Sequence, residues 1–278
     1  MMKNVNLSEN KAKENREKRK SFAKVANEKL GETVLQNCGE VAFIVEYVNS
    51  QDITVQFKTT GELVKTTYNN FVKGEVKSHF TPSVFGVGIK GLESILDEND
   101  EILDSYNCWR DMLRRCYSAK YQEKHPTYKG CSVCDEWLYY SNFKKWYEEN
   151  YYEINNKTSQ LDKDILIKNN KVYSPDTCVF APNFINKLFT KSQKTRGELP
   201  IGVYFNKRDK KYQASLRVFK DGRSTTKNLG YFDTADEAFK TYKKAKEDYI
   251  KEVADNYKDK IPAKLYEAMY AYEVSIDD

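Results

Sequence analysis

Two aspartates separated by one lysine, Asp162-Lys163-Asp164 in the run QLDKDILI, are the residues of this 278-residue chain best suited to hold a cation. Carboxylate oxygens are the preferred ligands of Mg²⁺. Beside a phosphodiester such an ion neutralises the charge that develops while a base activates water. The surrounding elements can position the pair. QLDKDILI reads as a short strand, Lys168-Asn169-Asn170-Lys171 reverses the chain, Val172 to Pro175 leads back, and Pro182 to Leu188 opens a helix. That ββα order brings a carboxylate at the end of one strand and an amide on the helix toward one ion. The bland alternative is a pair of solvated carboxylates at the edge of a turn.

Cys131 and Cys134 form a C-x-x-C, with Cys108 and Cys116 upstream, and four thiolates are what a structural Zn²⁺ takes. The spacing speaks against it, because seven residues separate the upstream pair where zinc knuckles have two to four. Cys116 also shares a helical face with Trp109, Met112 and Leu113, which predicts an ordinary buried thiol. Mg²⁺ is therefore the expected ion and Zn²⁺ is not.

Composition points to nucleic acid. Lys and Arg number 46 against 41 Asp and Glu, a net charge of +5, and the basic residues are interleaved with 21 Tyr and 14 Phe. The charge is local. Residues 1–31 carry nine basic and four acidic side chains, and residues 196–227 carry nine and three, whereas residues 261–278 are acidic. A chain of this length accommodates two or three small domains. The absence of an apolar stretch long enough to span a bilayer, and of the apolar core of a secretory leader near the N-terminus, predicts no membrane association and a cytoplasmic location.

Three runs near the N-terminus, VAFIVEYV, ITVQF and LVKTTY, alternate apolar and polar residues at a period of two and are separated by turn residues. They predict a small SH3-like β barrel over residues 37–90, preceded by a basic helix over 1–36 and running out through a connector at Gly86, Gly88 and Gly91. Such a barrel is a docking element, with a protein partner as its expected ligand.

The segment from Tyr106 to Asn186 carries Trp109, Met112, Arg115 and Cys116, then Val133, Cys134, Trp137, Phe143 and Trp146. After these come Leu161 to Asp164, Tyr173 to Pro175, Cys178, Phe180, Ala181 and Asn186. In this order and spacing it resembles a family of phage-encoded HNH-type endonucleases. The resemblance implies a ββα-metal domain over residues 91–192, with Asp162 and Asp164 binding Mg²⁺ and Asn186 as the last metal-side residue. The pattern departs from that family where Lys163 stands at the position of the general-base histidine and Thr177 at that of the middle Asn. On this reading Lys163 stabilises the phosphate.

Residues 199–257 contain Gly202, Val203 and Tyr204, then Lys211, Tyr212, Ala214 and Leu216. They continue with Leu229, Gly230 and Phe232, then Thr234, Glu237, Ala238, Tyr242 and Ala245. They resemble the AP2 DNA-binding domain, here over residues 193–260, with an acidic helix or tail at 261–278. The pattern itself predicts three strands and a helix. Asp221-Gly222 marks a hairpin, Thr234 with Glu237 a capping box, and alternation places Lys211, Gln213, Ser215 and Arg217 opposite Tyr212, Ala214, Leu216 and Val218. A twisted sheet with such a face fits the major groove of double-stranded DNA, where Arg reads guanine and Gln reads adenine. The candidate contacts are Tyr204, Asn206, Lys207, Arg208, Lys211, Gln213, Arg217, Arg223 and Lys227.

The expected molecule is thus an α+β, multi-domain protein with the architecture of free-standing homing endonucleases. Asp162, Lys163 and Asn186 are its expected catalytic residues in metal-dependent DNA cleavage. The alternative is a non-catalytic DNA-binding regulator or counter-defence protein on a degenerate HNH fold.

Overall fold

The computed structural model describes residues 13, 16–17, 23–190, 198–220, 223–276 and 278, and the side chains of Lys220 and Arg223 are outside the described set. Most of the expected basic helix over 1–36 and Arg196 therefore lie outside the described residues, although residues 23–29 are helical. The fold is mixed α+β, built on several small sheets. The chain divides into two compact units, residues 1–119 with 135–143 and residues 120–134 with 144–278. The expected central domain, 91–192, is shared between them.

In the first unit β1 (Thr33–Leu35), β2 (Val41–Asn49), β3 (Asp52–Phe57) and β4 (Leu63–Thr66) form an antiparallel sheet in chain order. Alternation works as expected, with Ile53, Val55 and Phe57 of β3 buried against Ala42, Ile44, Phe71 and Val76. The expected SH3-like barrel does not form. Closure requires the first and last strands to pair, and here β1 and β4 are opposite edges of only three and four residues. The short helix α1 (Tyr68–Val72) follows, capped by Thr67, whose hydroxyl accepts from the Asn70 amide.

The second core of this unit lies on α2 (Asp104–Tyr117), which buries Trp109, Met112, Leu113 and Cys116 on one face. Trp109 Nε1 donates to the carbonyl of Trp137 at 2.7 Å, so the indole is buried without an orphaned donor. The connector passes so close that a Cβ on Gly88 would overlap Leu113 and Trp109. That glycine serves close packing.

In the second unit β5 (Ser132–Val133) pairs in parallel with β7 (Val172–Tyr173), and β6 (Ser159–Asp162) pairs antiparallel with β8 (Val179–Pro182). The single turn α3 (Asn183–Asn186) follows β8 directly. Further along, β9 (Val203–Asn206), β10 (Lys211–Lys220) and β11 (Arg223–Phe232) make a sheet with β10 in the middle. The long helix α4 (Ala235–Tyr257) starts on a complete capping box. The Thr234 hydroxyl accepts from the Glu237 amide at 3.2 Å, and the Glu237 carboxylate accepts from the Thr234 amide at 3.3 Å.

Helix α4 is apolar on two sides. Ala238 and Tyr242 pack on Val203, Ala214 and Leu216 of the sheet. Ile250, Val253 and Ala254 pack with Val179, Ala181 and Ile185 behind the β6–β8 pair. The helix approaches the sheet so closely that a Cβ on Gly202 would overlap the Tyr242 ring, and Gly202 also has a φ of +76°, the left-handed region that glycine adopts without strain. The C-terminal segment is folded onto the same unit. Helix α5 (Ala263–Tyr270) buries Leu265 and Met269, each contributing roughly 1.5–3 kcal/mol, and Lys168 Nζ pairs with the Asp278 carboxylate at 2.8 Å.

Candidate nucleic-acid interface

The ββα portion positions its polar residues as follows. Asp162 ends β6 opposite Val179, and its Oδ1 accepts from the amides of Asp164 at 2.7 Å and Ile165 at 2.8 Å. Burial pushes its carboxyl above the ordinary carboxylate range, against the opposing effect of those two amides. Lys163 is 5% exposed. Its ammonium donates to Asp164 Oδ2 at 2.7 Å and to the Asn170 carbonyl at 2.7 Å. Asn170 in turn donates through Nδ2 to the carbonyls of Lys163 and Val172, and its Oδ1 accepts from the Val172 amide. Lys163 thus braces the loop between β6 and β7 from inside and does not point at solvent.

Asn186 donates to Gln160 Oε1 at 3.1 Å, tying α3 to β6, and the Thr177 hydroxyl donates to the Val172 carbonyl. The nearby Cys178 thiol is pushed up to about 12 by burial, which makes it a packing group. One oxygen of Asp162 accepts from two amides, one oxygen of Asp164 pairs with the buried Lys163 ammonium, and Asn186 uses its Nδ2 on Gln160. Among the described residues no group of three or more His, Cys, Asp or Glu stands close enough together to hold a metal ion. Cys131 is buried and Cys134 half-buried in this unit, while Cys108 and Cys116 belong to the first.

The three-stranded sheet makes a different site. Directly paired residues share a face, so the register assigns the open side row by row. Asn206 pairs with Lys211, Tyr204 and Tyr231 both pair with Gln213, Ser215 pairs with Asn228, and Arg217 with Thr226. Tyr204 is 58% and Tyr231 49% exposed, in line across the middle of this face. The opposite side is Val203, Ala214 and Leu216 under α4.

Compared with family models, curated proteins and solved structures, the chain matches none.

Several candidates are already partnered within the chain. Lys211 Nζ reaches Asp233 Oδ1 at 2.7 Å, and Arg208 Nε reaches Asp209 Oδ1 at 2.9 Å. The Asp209 carboxylate is the main reason that the Arg208 guanidinium is held above its usual pKa. Asn206 turns the β9–β10 connection, donating to Asp209 and accepting from the amides of Arg208 and Asp209. Lys207 is exposed beside them.

Lys227 is not on this face. A bulge between Ala214 and Ser215 leaves Leu229 unpaired and sets Lys227 opposite Leu216, on the helix side. There it lines a cleft of about 1230 Å³ together with Val218, Leu229, Tyr249 and Lys187. Tyr231 was not among the expected DNA-facing residues. Its place beside Gln213 follows from the register across the hairpin, which sequence alternation along one strand does not reveal.

Proposed function

We propose that this chain is a double-stranded DNA-binding protein that lays the open face of β9, β10 and β11 in the major groove. The observation that carries the reading is the two-sidedness of this sheet. One face is sealed by α4, and the other presents Lys211, Gln213, Ser215 and Arg217 along β10, with exposed Tyr204 and Tyr231 on either side of Gln213 and with Lys207 and Arg208 at its end. Beyond the end of β9, strands β10 and β11 continue as a two-stranded ribbon, the width of element that the major groove admits. The resemblance to AP2 domains points the same way. The order strand, strand, helix in β6, β8 and α3 accords with the resemblance to phage HNH-type proteins. In that portion Lys163 is turned inward to Asp164 and the Asn170 carbonyl, and the reading is of a DNA-binding protein on an HNH-like scaffold, acting by what it occupies or recruits.

The test is fluorescence anisotropy of the full chain with a labelled duplex pool at about 50 mM and about 200 mM salt. Replacing Lys207, Arg208 and Lys211 together by Ala is expected to weaken binding across all sequences and to lower the salt slope by roughly 0.9 for each phosphate that is no longer neutralised. Unchanged affinity in that variant, or no binding at the lower salt, refutes the reading.

A further inference from the structure

Resting on that reading, we infer that Gln213 and Arg217 are the residues that read base sequence, adenine and guanine respectively, at positions three or four base pairs apart. Four facts of the sheet lead there. First, β10 is the middle strand, so its outward side chains stand at the centre of the face. Second, three neighbouring polar heads on this side are engaged. Lys211 is paired with Asp233 and Arg208 with Asp209, while Asn206 is bonded to Asp209 and to two amides of its own turn. Gln213 and Arg217, among the described residues, make no side-chain hydrogen bond or ion pair, so their donors and acceptors are open to a ligand.

Third, the two residues lie on the same face four positions apart on one strand, about 13 Å at roughly 3.3 Å per residue. Bases stacked at about 3.4 Å cover that span in three to four steps. Fourth, the surroundings differ as the two roles require. Gln213 is walled on both sides by Tyr204 and Tyr231, which fix its neutral amide against one base edge. Arg217 lies beyond the last residue paired with β9, where β10 and β11 continue as a two-stranded ribbon that can enter the groove more deeply. The chemistry then selects the bases. A glutamine amide donates to N7 and accepts from the N6 amino group of adenine, whereas a guanidinium donates twice, to O6 and N7 of guanine.

The experiment is selection of bound duplexes from a random-sequence pool by the full chain, followed by affinity measurement on the selected duplex. Wild type is expected to enrich an adenine and a guanine three or four positions apart. Gln213→Ala relaxes the adenine alone and Arg217→Ala the guanine alone, each weakening binding to the selected duplex by roughly 5- to 150-fold. Gln213→Glu, which can only accept, shifts the first preference toward cytosine. Both positions lie on the open face of the sheet, and unchanged thermal melts establish that the three variants fold. A selected motif that stays the same in both alanine variants overturns the inference while leaving DNA binding in place. Failure of the wild type to bind any duplex overturns instead the functional reading on which it rests.

Discussion

Replacing Lys163 by Met distinguishes a brace from a catalytic group. The substitution keeps the unbranched apolar stem and removes the ammonium, so no large cavity opens. Two interactions disappear with it. The ion pair to Asp164 is worth little, because that carboxylate is 51% exposed and water takes over its solvation. The bond to the Asn170 carbonyl at 2.7 Å comes from a charged donor in a part-buried setting, a class that contributes about 1.5–3 kcal/mol. The expected destabilisation is therefore about 2–3 kcal/mol. In a unit of about 150 residues that lowers the melting temperature by roughly 4–12 °C. The assays are thermal unfolding followed by circular dichroism and anisotropy on the same samples, with DNA affinity expected unchanged at temperatures where the variant is folded. The reasoning is refuted if Lys163→Met melts with wild type. It is refuted equally if the variant abolishes an Mg²⁺-dependent nicking of supercoiled plasmid without loss of stability, since Lys163 would then act on the phosphate.

Two further substitutions address the same unit. Gly202→Ala combines a left-handed backbone with an overlap against Tyr242 and is expected to cost about 2–4 kcal/mol. The drop is read in the melting temperature, and a shift under about 2 °C contradicts the close approach of helix to sheet. Asp162 has a folded pKa raised above its unfolded value, so its contribution favours the fold below the unfolded pKa of about 3.9 and is lost as pH rises through the folded value. Asp162→Asn keeps an oxygen for the two amides and carries no charge. It is expected to melt above wild type at neutral pH, with the gap closing as pH falls below the unfolded carboxylate value, whereas Asp162→Ala melts below wild type. An Asn variant less stable than wild type at neutral pH shows that the ionised carboxylate is held by something other than those amides.

How much of this was legible in the sequence varies with the range of the interaction. Side-chain periodicity is a local property, and it located β2, β3 and β4 and anticipated the three later strands β9, β10 and β11. The capping box at Thr234 and Glu237 set the start of α4 for the same reason, because both partners lie within one turn. Alternation along β10 separated Gln213 and Arg217 from Ala214 and Leu216 before any partner strand was known. The tertiary structure decided what depends on distant partners. Whether four strands close or stay open depends on which edges meet, and β1 and β4 are too short and lie on opposite edges. The side occupied by Lys227 depends on one bulged residue, Leu229, since a shift of one position reverses the face. A lysine between two aspartates reads as solvated or catalytic until its surroundings are known. Here burial, and the carbonyl of Asn170 seven residues away, make Lys163 an internal brace.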